Sequence, residues 1–149
     1  MRALVVVTLL LAGLMPAQAS GGFSCEAQDA SVKFEAGGGM GRSVGASLFN
    51  FNGEIKVKLK GVPADFRELK LKDSDVSQRW IDGKEVRLQL YREREEGLFG
   101  YIDLVILTKR VEEGSYAGRY ELTISHLDSE QATEAKKFTA RGKVKCMTE

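Results

Sequence analysis

Apolar and polar residues alternate with a period of two along most of this chain. Val32, Phe34 and Ala36 are separated by Lys33 and Glu35, and Ile55, Val57 and Leu59 by Lys56 and Lys58. Val86, Leu88 and Leu90 are set against Arg87 and Gln89. Tyr116 to Ile124 and Phe138 to Cys146 continue the rule over nine residues each, and Phe23, Cys25 and Ala27 open it. Successive side chains of a strand point to opposite faces, so this pattern predicts antiparallel strands with one wet face. Helix is scarce: Pro63 to Leu69 has room for a turn or two, and Ser129 to Lys137 for a short helix or a loop. The fold class that follows is all-β, eight or nine strands in an antiparallel barrel or a sandwich.

Residues 1–19 stand outside that pattern. Met1-Arg2 is followed by an apolar run from Ala3 to Leu14, a break at Pro16, and Ala17-Gln18-Ala19 with small residues at the −3 and −1 positions of a cut before Ser20. This predicts a secretory signal peptide, with residues 20–149 as one domain. The run is too short for a span, which needs roughly 20 apolar residues. Of 149 residues, 22 are Lys or Arg and 21 are Asp or Glu. Removal of Arg2 leaves 21 of each, so bulk charge selects neither nucleic acid nor an anionic membrane.

Cys25 and Cys146 lie near the two ends of the mature chain, on the core parity of the first and last strands. In an oxidising compartment such a pair is expected to form one disulfide, joining those strands. No C-x-x-C or Cys/His cluster points to a redox pair or a metal site, and a single His leaves no multi-His centre. No cofactor or metal is expected.

Asn52-Gly53 sits between two alternating runs and predicts a two-residue hairpin turn. In that register Phe49 and Phe51 point outward, away from the core. At Asp82-Gly83 a bulged loop is expected to bring Trp80 inward, to core or rim packing. From Phe99 to Lys109 the chain is apolar on both parities, with Ile102, Leu104 and Ile106 on one and Tyr101, Val105 and Leu107 on the other, broken only by Asp103. A strand wet on one side does not read this way. Either the second face is covered, by the 62–80 segment or a second sheet, or it is a recognition surface. Under cover, Asp103 would need a partner, with Arg92 or Arg119 in reach. The candidate binding surface is Phe49, Phe51, Tyr101 and Trp80.

Motifs for chemistry are weak. Ala36 to Ser43 has the spacing of a phosphate loop, but Arg42 replaces the lysine and strand follows where a helix should, so a flexible strand connection is expected. His126 followed by Asp128 has the form of an oriented general base, yet no activated nucleophile or nucleophile elbow accompanies it. Asp73/Asp75, Glu95/Glu96 and Asp128/Glu130 lie in turn-like stretches that need solvated acids. No catalytic residue is assigned, and a non-enzymatic role is expected.

Phe23-Ser-Cys-Glu-Ala, Tyr91-Arg-Glu-Arg-Glu with Gly100-Tyr101, Gly114-Ser-Tyr-Ala-Gly-Arg-Tyr120 and Ala140-Arg-Gly-Lys-Val-Lys-Cys146 together resemble small exported proteins of α-proteobacteria. That resemblance implies a periplasmic address and brings no assigned activity. An aromatic-x-Cys first strand is also similar in architecture to periplasmic lysozyme inhibitors, though their inhibitory loop motif has no counterpart here. The expected function is an exported binding or protein-interaction domain of the bacterial envelope. The alternatives are a lipocalin-like carrier of a small apolar ligand, in a cavity lined by Tyr116, Tyr120 and Leu104, or an inhibitor of a hydrolase such as lysozyme.

Overall fold

A computed structural model describes residues 21–41 and 47–149; the expected signal peptide and the Arg42-Ser43 end of the phosphate-loop spacing lie outside the described residues. The described chain forms nine strands: β1 (Gly21–Gln28), β2 (Val32–Met40), β3 (Leu48–Val57), β4 (Glu68–Lys72), β5 (Val76–Ile81), β6 (Glu85–Glu93), β7 (Gly100–Glu112), β8 (Ser115–His126) and β9 (Lys136–Thr148). All pairings are antiparallel, in the order β4-β3-β2-β1-β9-β8-β7-β6-β5, and the sheet curls into a nearly closed barrel. Helical structure among the described residues is limited to two 3-10 turns, Ala64–Phe66 and Asp73–Asp75.

One core fills the interior, made of the inward residues that the alternation marks: Phe34, Ile55, Leu88, Leu104, Ile106, Tyr120, Leu122 and Ile124 are fully buried. The loop between β3 and β4 folds across one end and buries Val62 and Phe66. There the Arg94 guanidinium lies 5.0 Å from the centre of the Phe66 ring and its Nε donates to Asp65 at 2.7 Å.

Cys25 and Cys146 are register partners on β1 and β9 and form a disulfide between residues 121 apart in sequence. The barrel thus consists of two meanders, β1–β4 and β5–β9, joined by the short β1–β9 ladder and by the connection from β4 to β5. That connection is unusual. Strand directions alternate along the sheet, so β4 and β5 run the same way, yet β4 pairs only with β3 and β5 only with β6. The chain crosses the seam at Asp73–Asp75, giving one broken stave whose lower half belongs to β3 and upper half to β6.

Two turns differ from expectation. Asn52 and Gly53 are not a turn: they lie within β3, paired with Gly37 and Ala36. No Cβ fits at Gly53, because Ala36 and the Glu35 carbonyl lie against it; the glycine serves a close approach between strands. The bend falls earlier, at a bulge where Asn50 and Phe51 together oppose Gly38. Asn50 has φ 52°, a left-handed conformation that Asn tolerates. With no turn at Asn52-Gly53, Phe51 keeps the parity of Ile55 and is 2% exposed in the core, while the extra residue reverses the parity upstream of it, so Phe49 points out over Gly39. Gly37 to Met40 are strand rather than a flexible connection. Ser129 to Ala135 form no helix, and β9 starts at Lys136.

Tyr120 shows how the core is held to a turn. Its hydroxyl donates to Asp29 Oδ2 at 2.6 Å, while Asp29 Oδ1 accepts from the Ser31 and Val32 N–H groups. Gly142 leaves the space in which this contact forms. Burial pushes the Asp29 carboxyl up, but the Tyr120 hydroxyl and the Val32 and Ser31 N–H groups outweigh it and hold the carboxyl below its ordinary value. A carboxyl lowered in the fold adds stability above its unfolded value of 3.8, lost as pH falls through the folded value. Tyr120→Phe is expected to cost about 2 kcal/mol at neutral pH, in the range for a hydrogen bond to a charged group. It should also weaken the acid-side loss of stability below about pH 4, measured by urea unfolding across pH.

Candidate functional site

The outer face of β5, β6 and β7 carries the apolar surface that the doubly apolar β7 sequence foreshadows. Ile102, Leu104 and Ile106 are buried inside, whereas Tyr101, Val105 and Leu107 point outward and are half-buried only by their neighbours on the same face. The 62–80 segment does not cover them: it becomes β4 and β5 of the same sheet. Asp103 accepts from Gln89 Nε2 at 3.0 Å on this outer face. Arg92 and Arg119 pair elsewhere, with Asp75 and Glu121.

Trp80 is the second correction. It is 54% exposed and opposite Arg87 on β6, while Ile81 and Val86 face the core. The turn that sets this parity has Asp82 Oδ1 accepting from the Lys84 and Glu85 N–H groups, with Gly83 at φ 78°. Ile81 therefore takes the inward position and Trp80 the outward one. Trp80, Arg87, Gln89, Val105 and Leu107 line one shallow groove of about 330 Å³. Further along β7, the Tyr101 ring lies 5.6 Å from Tyr91 and 5.9 Å from Phe99, which is half exposed.

Of the four candidate surface residues, Trp80 and Tyr101 share this face. Phe49 is exposed but faces a separate groove with Val76 and Arg79, and Phe51 belongs to the core. Tyr91, Phe99, Val105 and Leu107 complete the surface; the doubly apolar run signalled all but Tyr91, which takes its place from being opposite Asp103 on β6.

The remaining sites have structural partners. The His126 ring is buried and stacks on Phe138, with centroids 5.8 Å apart and planes 2° from parallel. Its Nδ1 lies 3.3 Å from Asp128 Oδ1. Asp128 is paired with Lys136, which holds its carboxyl below the usual carboxylate range. Nε2, the nitrogen that would act as a base, is buried without a hydrogen-bond partner, so the dyad form does not come with access to a substrate. Asp73 Oδ1 accepts the Phe51 N–H at 2.7 Å, satisfying the bulge, and Asp75 is buried against Arg92. Tyr116, Tyr120 and Leu104 are buried core residues. The space bounded by Ile55, Leu71, Leu90, Ile102 and Leu104 amounts to about 10 Å³, no more than one water occupies.

Among the described residues, no group of three or more His, Cys, Asp or Glu is placed to hold a metal ion. Nor is any helix there long and apolar enough to cross a membrane. Comparison with family models, curated proteins and solved structures finds no match to this chain, so the site is characterised by its geometry alone.

Proposed function

We propose that this protein is an exported, disulfide-closed β-barrel of the bacterial periplasm that acts by binding another protein, not by catalysis. The observation that carries the reading is the open apolar face of β5–β7, with Trp80 above Val105 and Leu107 at one end and the Tyr91, Tyr101 and Phe99 rings at the other. Aromatic residues and Arg are the types that concentrate binding energy in protein interfaces. Apolar surface of this extent on a small domain marks an interaction site more often than it marks nothing. Arg87 and Arg119, each more than half exposed, flank the strip. Tyr116, Tyr120 and Leu104 pack as core, with about 10 Å³ of space beside Leu104, which favours this reading over a carrier holding a ligand against those residues.

Trp80→Ser combined with Leu107→Ser tests it. Both side chains lie outside the core, so the double variant is expected to unfold within about 1 kcal/mol of the parent. Partners are cross-linked in intact cells and identified by mass spectrometry. A partner recovered with the parent and lost with the double variant is the expected result; the same partner recovered equally from both overturns the assignment of this face.

A further inference from the structure

The broken stave leaves two gaps, and they are treated differently. In the lower gap, Arg92 of β6 reaches across to Asp75 and to the Lys70 carbonyl of β4. Among the described residues, no side chain bridges the upper gap in this way. β4 covers β3 only from Lys56 to Asn52. One residue further, the Phe51 N–H is taken by the Asp73 side chain as the chain turns away. Beyond it, Leu48 and Phe49 pair with β2 on one side only. Across the gap, β5 pairs with β6 on one side only. A groove of about 370 Å³ separates these two free edges, lined by Leu48, Phe49, Asn50, Asp73, Val76 and Arg79.

Arg79 is the informative residue. Its register partner on β6 is Leu88, a buried core residue, so Arg79 sits on the inward parity of β5. It is nevertheless exposed, and none of the ion pairs among the described residues includes it. An inward charge and a bulge, here between Val76 and Gln78, are the devices by which an edge strand rejects indiscriminate pairing. They reject apolar strands, but not one that brings an acid to meet the charge.

We propose that the upper gap accepts an extended segment of another protein as a tenth strand along β5. Main-chain hydrogen bonds to the β5 edge hold it, an acidic side chain meets Arg79, and apolar residues two positions from that acid, on the same face of the strand, rest on Leu48 and Val76. A second copy of this chain fits less well. The centred β5–β5 register that keeps both core faces inward sets Arg79 opposite Arg79, and like charges directly opposite destabilise a ladder. Arg79 also borders the Trp80–Leu107 groove, so the test includes a variant confined to that face.

The probe is a fluorescein-labelled peptide, Thr-Val-Thr-Glu-Thr-Val-Thr, capped at both ends, with its central Glu→Lys counterpart and a version N-methylated at alternate residues. Binding is read by fluorescence anisotropy on the oxidised full chain. The Glu peptide is expected to bind, and the Lys and N-methylated peptides to bind about tenfold or more weakly. Arg79→Glu, an exposed change, should reverse the preference between Glu and Lys peptides, with near-UV circular dichroism confirming an unchanged fold. Leu107→Ser should leave peptide binding intact, which separates this proposal from the reading of the β5–β7 face. No binding of the Glu peptide at millimolar concentration, equal binding of the Glu and Lys peptides, or an unchanged preference in Arg79→Glu overturns the proposal. So does a dimer in sedimentation that Arg79→Glu abolishes, since it would place a second copy on the edge.

Discussion

Replacing Cys25 and Cys146 together by Ala is expected to lower the unfolding free energy by about 4–5 kcal/mol, the loop-closure value for a cross-link of this span. The two cysteines are 121 residues apart, so the bond restricts nearly the whole nine-strand region of the unfolded chain. Its placement matters as much as its span. The meanders β1–β4 and β5–β9 are internally joined by ladders of local hairpins, whereas β1 and β9 meet over only four register pairs, from Phe23–Thr148 to Glu26–Lys145. That short ladder is where the barrel opens most readily, and the disulfide lies within it. Urea unfolding of the oxidised parent and the double Ala variant gives the comparison, with the denaturant slope rising in the variant as its unfolded chain expands. A loss under about 1 kcal/mol would mean that the β1–β9 ladder holds without the covalent link.

The disulfide and the barrel belong together. The sheet order sets the first strand beside the last, and the Cys25–Cys146 bond secures that adjacency covalently. Cys25 and Cys146 were legible as a pair because both fall on the inward parity of alternating runs. The runs around Leu88, Leu122 and Val144 were legible for the same reason: an uninterrupted period of two has one reading.

Parity failed wherever one residue was inserted. Asn52-Gly53 has the composition of a hairpin turn, and local sequence does not separate a glycine that bends from one that admits Ala36 at close range. Without a turn at Asn52-Gly53, Phe51 keeps the parity of Ile55 and enters the core, against expectation, while the insertion at Asn50 flips the parity once more and leaves Phe49 outside, as expected. Trp80 moved the other way, because the side-chain turn at Asp82 closes the hairpin with Ile81 inward. The apolar outer face of β5–β7 was half legible. The doubly apolar β7 announced it, but whether the 62–80 segment covered it depended on a stave that changes partners midway, which no local pattern encodes. A signal was present all the same: Arg79 and Arg92 both occupy positions with inward parity, opposite or in line with core residues, where an arginine needs a specific reason.

For Arg92 that reason is closure of the lower gap, and its removal is the second large effect expected. The guanidinium donates from Nε to Asp75 Oδ1 at 2.8 Å and from Nη2 to Asp75 Oδ2 and the Lys70 carbonyl, while Asp75 also accepts the Lys72 N–H at 2.8 Å. One side chain on β6 thereby holds both halves of the broken stave. Asp75 is 3% exposed, so Arg92→Ala leaves a buried carboxylate without its counter-charge, at a cost of about 3 kcal/mol. Arg92→Lys keeps the charge but not the planar fork that reaches carboxylate and carbonyl together, and should recover only part of the loss. The double variant Asp75→Leu/Arg92→Met removes both charges, and should be more stable than Arg92→Ala, because the penalty lies in the orphaned charge and not in the missing pair. Hydrogen exchange locates the effect: in Arg92→Ala the β4 and β5 amides should exchange faster before those of β8 and β9 change, as expected of a local opening at the seam. Uniform acceleration across the barrel would instead make Arg92 a general contributor to stability, and a loss under about 1 kcal/mol would mean that the Asp73–Asp75 turn holds the stave unaided.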